Sequence, residues 1–160
     1  MPRPHLQRIQ LTSDEQARAA RLHRDVDVLA GLIGERHWWK YDRLMAAEKY
    51  VRDQLAATGL PMTDQPFEVM EKTCRNVIAE QRGTTHADQI LVLGAHYDSV
   101  SPTPGADDNA SAVAGMIEVA RELSRRKFRR TIRYVGFVNE EPPFYKGPDM
   151  GSLRYAEHCR

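Results

Sequence analysis

The sequence predicts an α/β fold built around a parallel strand pair. Two short apolar runs, Ile90–Ala95 and Thr131–Val138, flank an amphipathic stretch, Ala110–Arg126. Strand, helix and strand in that order form a βαβ unit, whose strands pair in parallel. Two further short runs, Phe67–Glu71 and Arg75–Gln81, add an antiparallel edge.

The first helix carries Leu22, Val26, Leu29 and Ile33 at helical spacing, and Ser13 with Gln16 predicts a capping box at its start. Gly31 and Gly34 weaken its end. Trp38 and Trp39 are expected to pack the first two helices together. A second helix runs from about Tyr41 to Thr58 on the stripe Leu44, Ala47, Val51 and Leu55, and Gly59 with Pro61 stops it. The two short strands follow, with a break at Gly83. Ile90–Ala95 (ILVLGA) has the uniformly apolar pattern of a buried strand. Ser99–Gly105 holds two prolines and a glycine and is loop. Val113, Met116, Ile117, Ala120 and Leu123 share one face of the next helix. Thr131–Val138 is a second buried strand, Pro142 to Pro148 is loop, and Ser152–His158 begins a last helix.

Composition narrows the classes. The 160 residues suit one domain or part of one, and 41% apolar with 28% charged residues is ordinary for a soluble globular chain. A net charge of +1 gives no reason to expect nucleic acid or an anionic membrane as partner. The run Arg125–Arg130 around Phe128 reads as a solvated helix end. No stretch approaches the ~18 apolar residues of a membrane span. The first residues lack the apolar segment of a secretory signal, so a cytoplasmic location is expected. Cys74 and Cys159 cannot make a disulfide framework or a cysteine-rich zinc motif. His5, His23, His37, His86 and His158 show no ligand spacing.

Three segments carry chemistry. His96-Tyr97-Asp98 follows the first apolar strand, Asp107-Asp108-Asn109 precedes the crossover helix, and Asn139-Glu140-Glu141 follows the second strand. Ligands in open α/β sheets bind beyond the carboxyl ends of the strands, and all three groups fall there. Carboxylates packed together repel unless a cation lies between them. Imidazole nitrogen with carboxylate oxygen suits Zn, Mn or Co. His96 is then a metal ligand, and Asp98 orients its ring. A carboxylate of the Asp-Asp-Asn loop bridges two metals ~3.5–4 Å apart. One of the paired glutamates binds metal while the other takes a proton from bound water. Taken singly, the Asp-Asp-Asn loop could instead cap the helix, and the glutamates could lie in a solvated loop.

The stretch GAHYDSVSPTPGADDNASA (Gly94–Ala112), with FVNEE (Phe137–Glu141) and MGS (Met150–Ser152), resembles the two-zinc aminopeptidases. These are metallopeptidases of the bacterial leucyl aminopeptidase and aminopeptidase S/Y type, in a fold family that includes glutaminyl cyclases. The likeness runs from about Leu44 to the end and includes Cys74–Gly83. It implies a three-layer α/β fold with a central mixed, mostly parallel sheet that is incomplete at its C-terminal side. It also implies one partial catalytic domain over 1–160, with a helical part at 1–60 and a sheet with metal-site loops at 61–160. By motif, His96 resembles a ligand of one zinc, Asp108 the bridging ligand, Glu141 the ligand of the other zinc and Glu140 the general base. Asp98 resembles the partner of His96. Ala112 stands where the family usually has glycine, and the connection from Glu141 to Met150 is longer than in simpler members.

The resemblance implies hydrolysis of N-terminal peptide bonds by water activated between two divalent ions, expected to be zinc. The family takes a further Asp and a further His from segments downstream of Arg160, so weak metal binding, little activity and an exposed edge strand are expected of this chain. The alternatives are a non-catalytic binding or scaffold module on the same fold, and a single-zinc acyltransferase of the glutaminyl cyclase type. The expected partner is a peptide substrate.

Overall fold

The computed structural model describes residues 10–159, so His5 lies outside the described residues. Helix α1, Ser13–Val26, does open on a capping box, but one residue earlier than expected. Thr12, still extended, accepts from the Glu15 amide at 3.3 Å, and Glu15 accepts from the Thr12 amide at 2.8 Å. Ser13 is already helical, so the threonine hydroxyl is the one that faces the free amides. The apolar stripe continues past Val26, where the turns widen into a π-helical segment, Asp27–Ile33. Gly34 ends it at φ +76°, a conformation that favours glycine. Fully buried Asp25 accepts hydrogen bonds from Tyr50 at 2.7 Å and Arg121 at 3.0 Å, which ties α1 to the helices behind it.

Helix α2, Tyr41–Ala56, buries Leu44, Ala47, Val51 and Leu55, the stripe read from the sequence. The two tryptophans depart from expectation. Trp38 stacks edge-on against Tyr41 and Phe144, with the Lys72 ammonium over its ring, and Trp39 is 64% exposed. Trp38 therefore braces the start of α2 against the loop after β4, rather than packing the first two helices together.

Four strands form the sheet: β1 (Gln65–Val69), β2 (Lys72–Gln81), β3 (His86–His96) and β4 (Arg130–Phe137), in the order β1-β2-β4-β3. β1 and β2 make a hairpin whose two turn residues, Met70 and Glu71, both have positive φ. That is the turn geometry that matches strand twist, and it ends β1 at Val69 rather than Glu71. β2 then pairs antiparallel with β4. Helix α3, Ala112–Leu123, carries the chain from β3 across to β4, and those two strands pair in parallel. The sheet is mixed, as expected. The mostly parallel arrangement is corrected for the described residues: the hairpin and the β2–β4 ladder make two of the three pairings antiparallel.

Helices cover both faces. Val77, Ala79, Ile132 and Tyr134 pack with α2 and α3 in the main core. Ile78 and Val135 face the other way, against Tyr155 of helix α4, Gly151–His158. Burying these side chains contributes on the order of 1.5–3 kcal/mol each.

β3 corrects a second expectation. Its run Ile90, Leu91, Val92 and Leu93 is not buried but 42%, 59%, 41% and 37% exposed. Burial of an apolar strand needs a neighbour on each side and a cover on each face. β3 is the outer strand of the described sheet, and only Ala95 near its end reaches the core. The exposed edge strand that the sequence led us to expect is therefore present among the described residues. The basic run 125–130 is exposed apart from half-buried Phe128, and α3 ends before it. No helix among the described residues is long and apolar enough to cross a membrane.

Candidate metal centre

The parallel β3–β4 ladder places His96 opposite Phe137, so both strands deliver their next residues to one rim. From β3 come His96 and Asp98, and from β4 come Asn139, Glu140 and Glu141. The third segment arrives through the loop after β3, which returns as a kinked π-helical segment, Ala106–Ser111. Asp108 and Asn109 leave helical geometry there, with φ −107° and −137°. Neither this segment nor α3 has a side-chain cap, so the capping alternative for Asp-Asp-Asn is not what forms.

Asp108 is instead free to reach His96. Its Oδ1 lies 2.9 Å from His96 Nε2 and its side chain is largely exposed. Ligand atoms of His96, Asp108 and Glu141 all fall within 4.8 Å of one another. They are the metal-compatible group of three or more among the described residues. Asp98 is buried beneath them. Its Oδ1 faces His96 Nδ1 at 3.4 Å, and its Oδ2 accepts from the Glu141 amide at 3.0 Å. One carboxylate thus faces the ring from β3 and holds the backbone after β4. His96 Nδ1 and Asp98 Oδ1 are both buried and lack a well-formed hydrogen bond. A ring turned by Asp98 on one nitrogen and open to the cluster on the other is the arrangement of a metal-ligating histidine. The residues fit a divalent cation.

Charge in the cluster follows the crowding. Burial alone would lower the His96 pKa, but Asp98, then Asp108 and Glu141, outweigh it and push it up to about 9. Burial raises the pKa of Glu141, while His96 pulls it down. Glu140 is also raised by burial, against the hydrogen bonds it accepts from Ser152.

Consecutive glutamates point to different places because Asn139, at φ +59°, turns the chain sharply as it leaves β4. Asn139 is buried, and its amide donates to the Asp149 carbonyl at 3.4 Å. Glu141 joins the cluster. Glu140 accepts from the Ser152 amide at 2.6 Å and from its hydroxyl at 2.7 Å. Ser152 sits in the first turn of α4, where free amides favour a carboxylate. A carboxylate has about four lone-pair sites, so Glu140 can still accept another proton donor.

The five candidate site residues, His96, Asp98, Asp108, Glu140 and Glu141, lie at this rim. The sequence placed Ser152 in Met-Gly-Ser at the start of the last helix and Asn139 beside the paired glutamates without giving either a task, and Arg36 carried no motif. The turn at Asn139 had a signal, since asparagine tolerates positive φ. Arg36 had none. Cys74 and Cys159 are both free; burial pushes the Cys74 thiol up to about 11, and Cys159 is exposed.

The sequence and the fold both resemble known proteins. The pattern that defines Peptidase family M28 matches residues 76–158. The uncharacterized protein YfbL of Escherichia coli (strain K12) is 30% identical over 153 residues, which is 91% of this chain and 47% of that protein. Leucine aminopeptidase 2 of Arthroderma otae is 39% identical over 117 residues, 71% of this chain and 23% of that protein. The chain therefore spans half or less of the length of the relatives it matches. Among solved structures, a zinc aminopeptidase from Bacillus subtilis superposes with a TM-score of 0.76 at 14% identity, over 88% of this chain and 65% of that one. A glutaminyl cyclase from Bacteroides thetaiotaomicron reaches 0.65 at 21% identity, over 92% and 56%. At such identities the likeness shows the shared fold alone.

Proposed function

The chain belongs to Peptidase family M28, and we propose that the full-length protein is a zinc aminopeptidase that hydrolyses the N-terminal peptide bond of a peptide. The observation that carries this is the convergence of His96, Asp108 and Glu141 within 4.8 Å, with Glu140 alongside. Two bound divalent ions would polarise the scissile carbonyl and lower the pKa of a bound water toward ~7. His96 and Glu141 would each hold one ion, and Asp108 would lie between them. Asp98 fixes the His96 ring so that Nε2 stays turned to the cluster.

Glu140 takes the proton of the attacking water and returns it to the leaving amine. Its raised pKa suits that work, because an efficient base lies closer to the working pH than an ordinary carboxylate. Ser152 holds both of its oxygens and so fixes its orientation. Three protein ligands are typical of each catalytic zinc. The described cluster has three side chains for two ions, and we infer that residues 1–160 alone, as part of a catalytic domain, hold metal weakly and turn over little.

The test is Glu140→Gln in the full-length protein, with unblocked peptides as substrate. Turnover should fall at least ~100-fold while metal content stays unchanged. Full turnover would sink the general-base assignment. Ammonia released from N-terminal glutaminyl peptides without cleavage would favour cyclisation. A protein that neither binds zinc nor cleaves peptides would be a scaffold.

A further inference from the structure

Arg36 lies between the helical N-terminal part and the metal rim, and it is fully buried. Among the described residues its guanidinium meets no carboxylate at hydrogen-bond distance. It donates instead to five backbone carbonyls. Nε donates to Tyr97 at 2.7 Å, Nη2 to Gly105 at 2.8 Å, and Nη1 to Leu29 and Gly34 at 3.2 Å each and to Pro104. The Arg36 backbone adds a two-way link with Ser99: the Arg36 amide donates to Ser99 Oγ at 3.1 Å, and the Ser99 amide donates to the Arg36 carbonyl at 3.0 Å. Ser99 Oγ then donates to Thr103 at 3.1 Å.

The choice of carbonyls is informative. Tyr97 stands between His96 and Asp98. Gly105 opens the segment that presents Asp108, and it is packed hard against it. A Cβ on Gly105 would come within 2.4 Å of the Asp108 carbonyl oxygen, and φ there is +57°. One planar fork therefore grips the backbone on both sides of the His96–Asp108 contact. A buried cation with only neutral partners is costly, and five carbonyl dipoles only partly offset that. The acid charges that act on Arg36 are those of Asp98 and Asp108.

We propose that Arg36 is a positioning residue: it sets the spacing between His96 and Asp108, and thereby the metal affinity of the site, from outside the cluster. The inference rests on the metal-centre reading of His96, Asp108 and Glu141. A lysine at 36 would keep the charge but not the fork, because its three donors radiate from one nitrogen.

The experiment titrates cobalt(II) into the metal-free full-length protein, reading the dissociation constant and the d–d absorption at saturation, beside thermal unfolding without metal. Arg36→Lys should weaken cobalt binding about tenfold, within the range seen when groups behind a ligand are changed, and should alter the absorption band. Leu44→Ala, in the core but away from the loops, should lower the melting temperature while cobalt affinity stays within about twofold. Arg36→Lys binding within threefold of the parent with an unchanged band would overturn the proposal. So would Leu44→Ala weakening cobalt as much. Should Arg36→Lys not fold, Ser99→Ala decides: it removes only the hydroxyl bridge and should weaken binding more than threefold, and an unchanged affinity overturns the proposal. Absence of cobalt binding by the parent would overturn the metal-centre reading itself, and this inference with it.

Discussion

β2 and β3 flank the same strand, β4, and each brings it an apolar run. Val77, Ile78 and Ala79 of β2 are buried on both faces, while Ile90 to Leu93 of β3 are exposed on both. The difference is one of neighbours, since the buried run of β2 has the segment before β1 beyond it, bridged at Met62 and Ala79, and α2 and α4 on its faces, and β3 has no described strand beyond it. Apolar composition sets what a strand gains from cover; the tertiary arrangement sets whether cover exists. β3 nevertheless delivers the candidate site, because its end is held by means other than the sheet. Ala95, Tyr97 and Asp98 are buried, and Arg36 and Glu141 bond to the backbone and carboxylate just beyond the strand.

The largest expected effect tests the functional end of β3. His96→Ala should weaken metal binding more than ~100-fold by chelator competition, because a ligand counts for more than the groups behind it. Retained affinity would mean that the cluster is not where metal binds.

The contrast between the strands has a direct thermodynamic form. Ile78→Ala should cost about 3 kcal/mol in urea unfolding, through lost transfer and a cavity. Leu91→Ala, on the exposed run, should cost less than ~0.5 kcal/mol. Equal losses would break the comparison, since they would show β3 to be covered in solution.

Acidity sharpens it next. His96 of the metal-free protein is pushed up to about 9 by the carboxylates around it, against burial, so binding at pH 7 must displace its proton. Apparent cobalt affinity should then rise about tenfold per pH unit from 7 and level off beyond the His96 pKa. An affinity flat across that range would show that no proton leaves His96 on binding, so that either its imidazole is already neutral at pH 7 or it is not a ligand.

A smaller effect concerns the edge. Leu91→Lys should reduce self-association of the 160-residue chain in sedimentation experiments, because a charge blunts a free strand edge. No change would point to another adhesive surface. The smallest is chemical. Ellman's reagent should label Cys159 rapidly in the native protein and leave Cys74 of β2 untouched until unfolding, since Cys74 is buried and its thiol is pushed up to about 11. Fast labelling of both would show that β2 opens readily.

Much of this was legible in the residues. The α2 stripe is regular enough that Leu44, Ala47, Val51 and Leu55 could be assigned to the core directly. The rim was legible because a βαβ unit sends both strand ends the same way, which brings the segments of His96, Asp107-Asp108 and Glu140-Glu141 together; the choice of Asp108 and Glu141 within them came from the family resemblance alone. Cap position was missed by one residue, because Thr12-Glu15 and Ser13-Gln16 are both acceptable boxes and only the backbone turn distinguishes them. Trp39 was misplaced because a large apolar side chain carries no record of whether a partner faces it. Arg36 was illegible because its partners are carbonyls, which every residue has.

Residue order alone carries the periodicities, the order of strands and helices along the chain, and the chemical types gathered at one rim. These depend on local geometry and on short, constrained connections. The tertiary structure alone decided that β3 stands at the edge, that Glu140 turns to Ser152 while Glu141 turns to the cluster, and that Arg36 closes on both sides of His96 and Asp108. Those outcomes depend on which backbone groups meet across tens of residues, and pairings between groups that all residues share leave no mark on residue type.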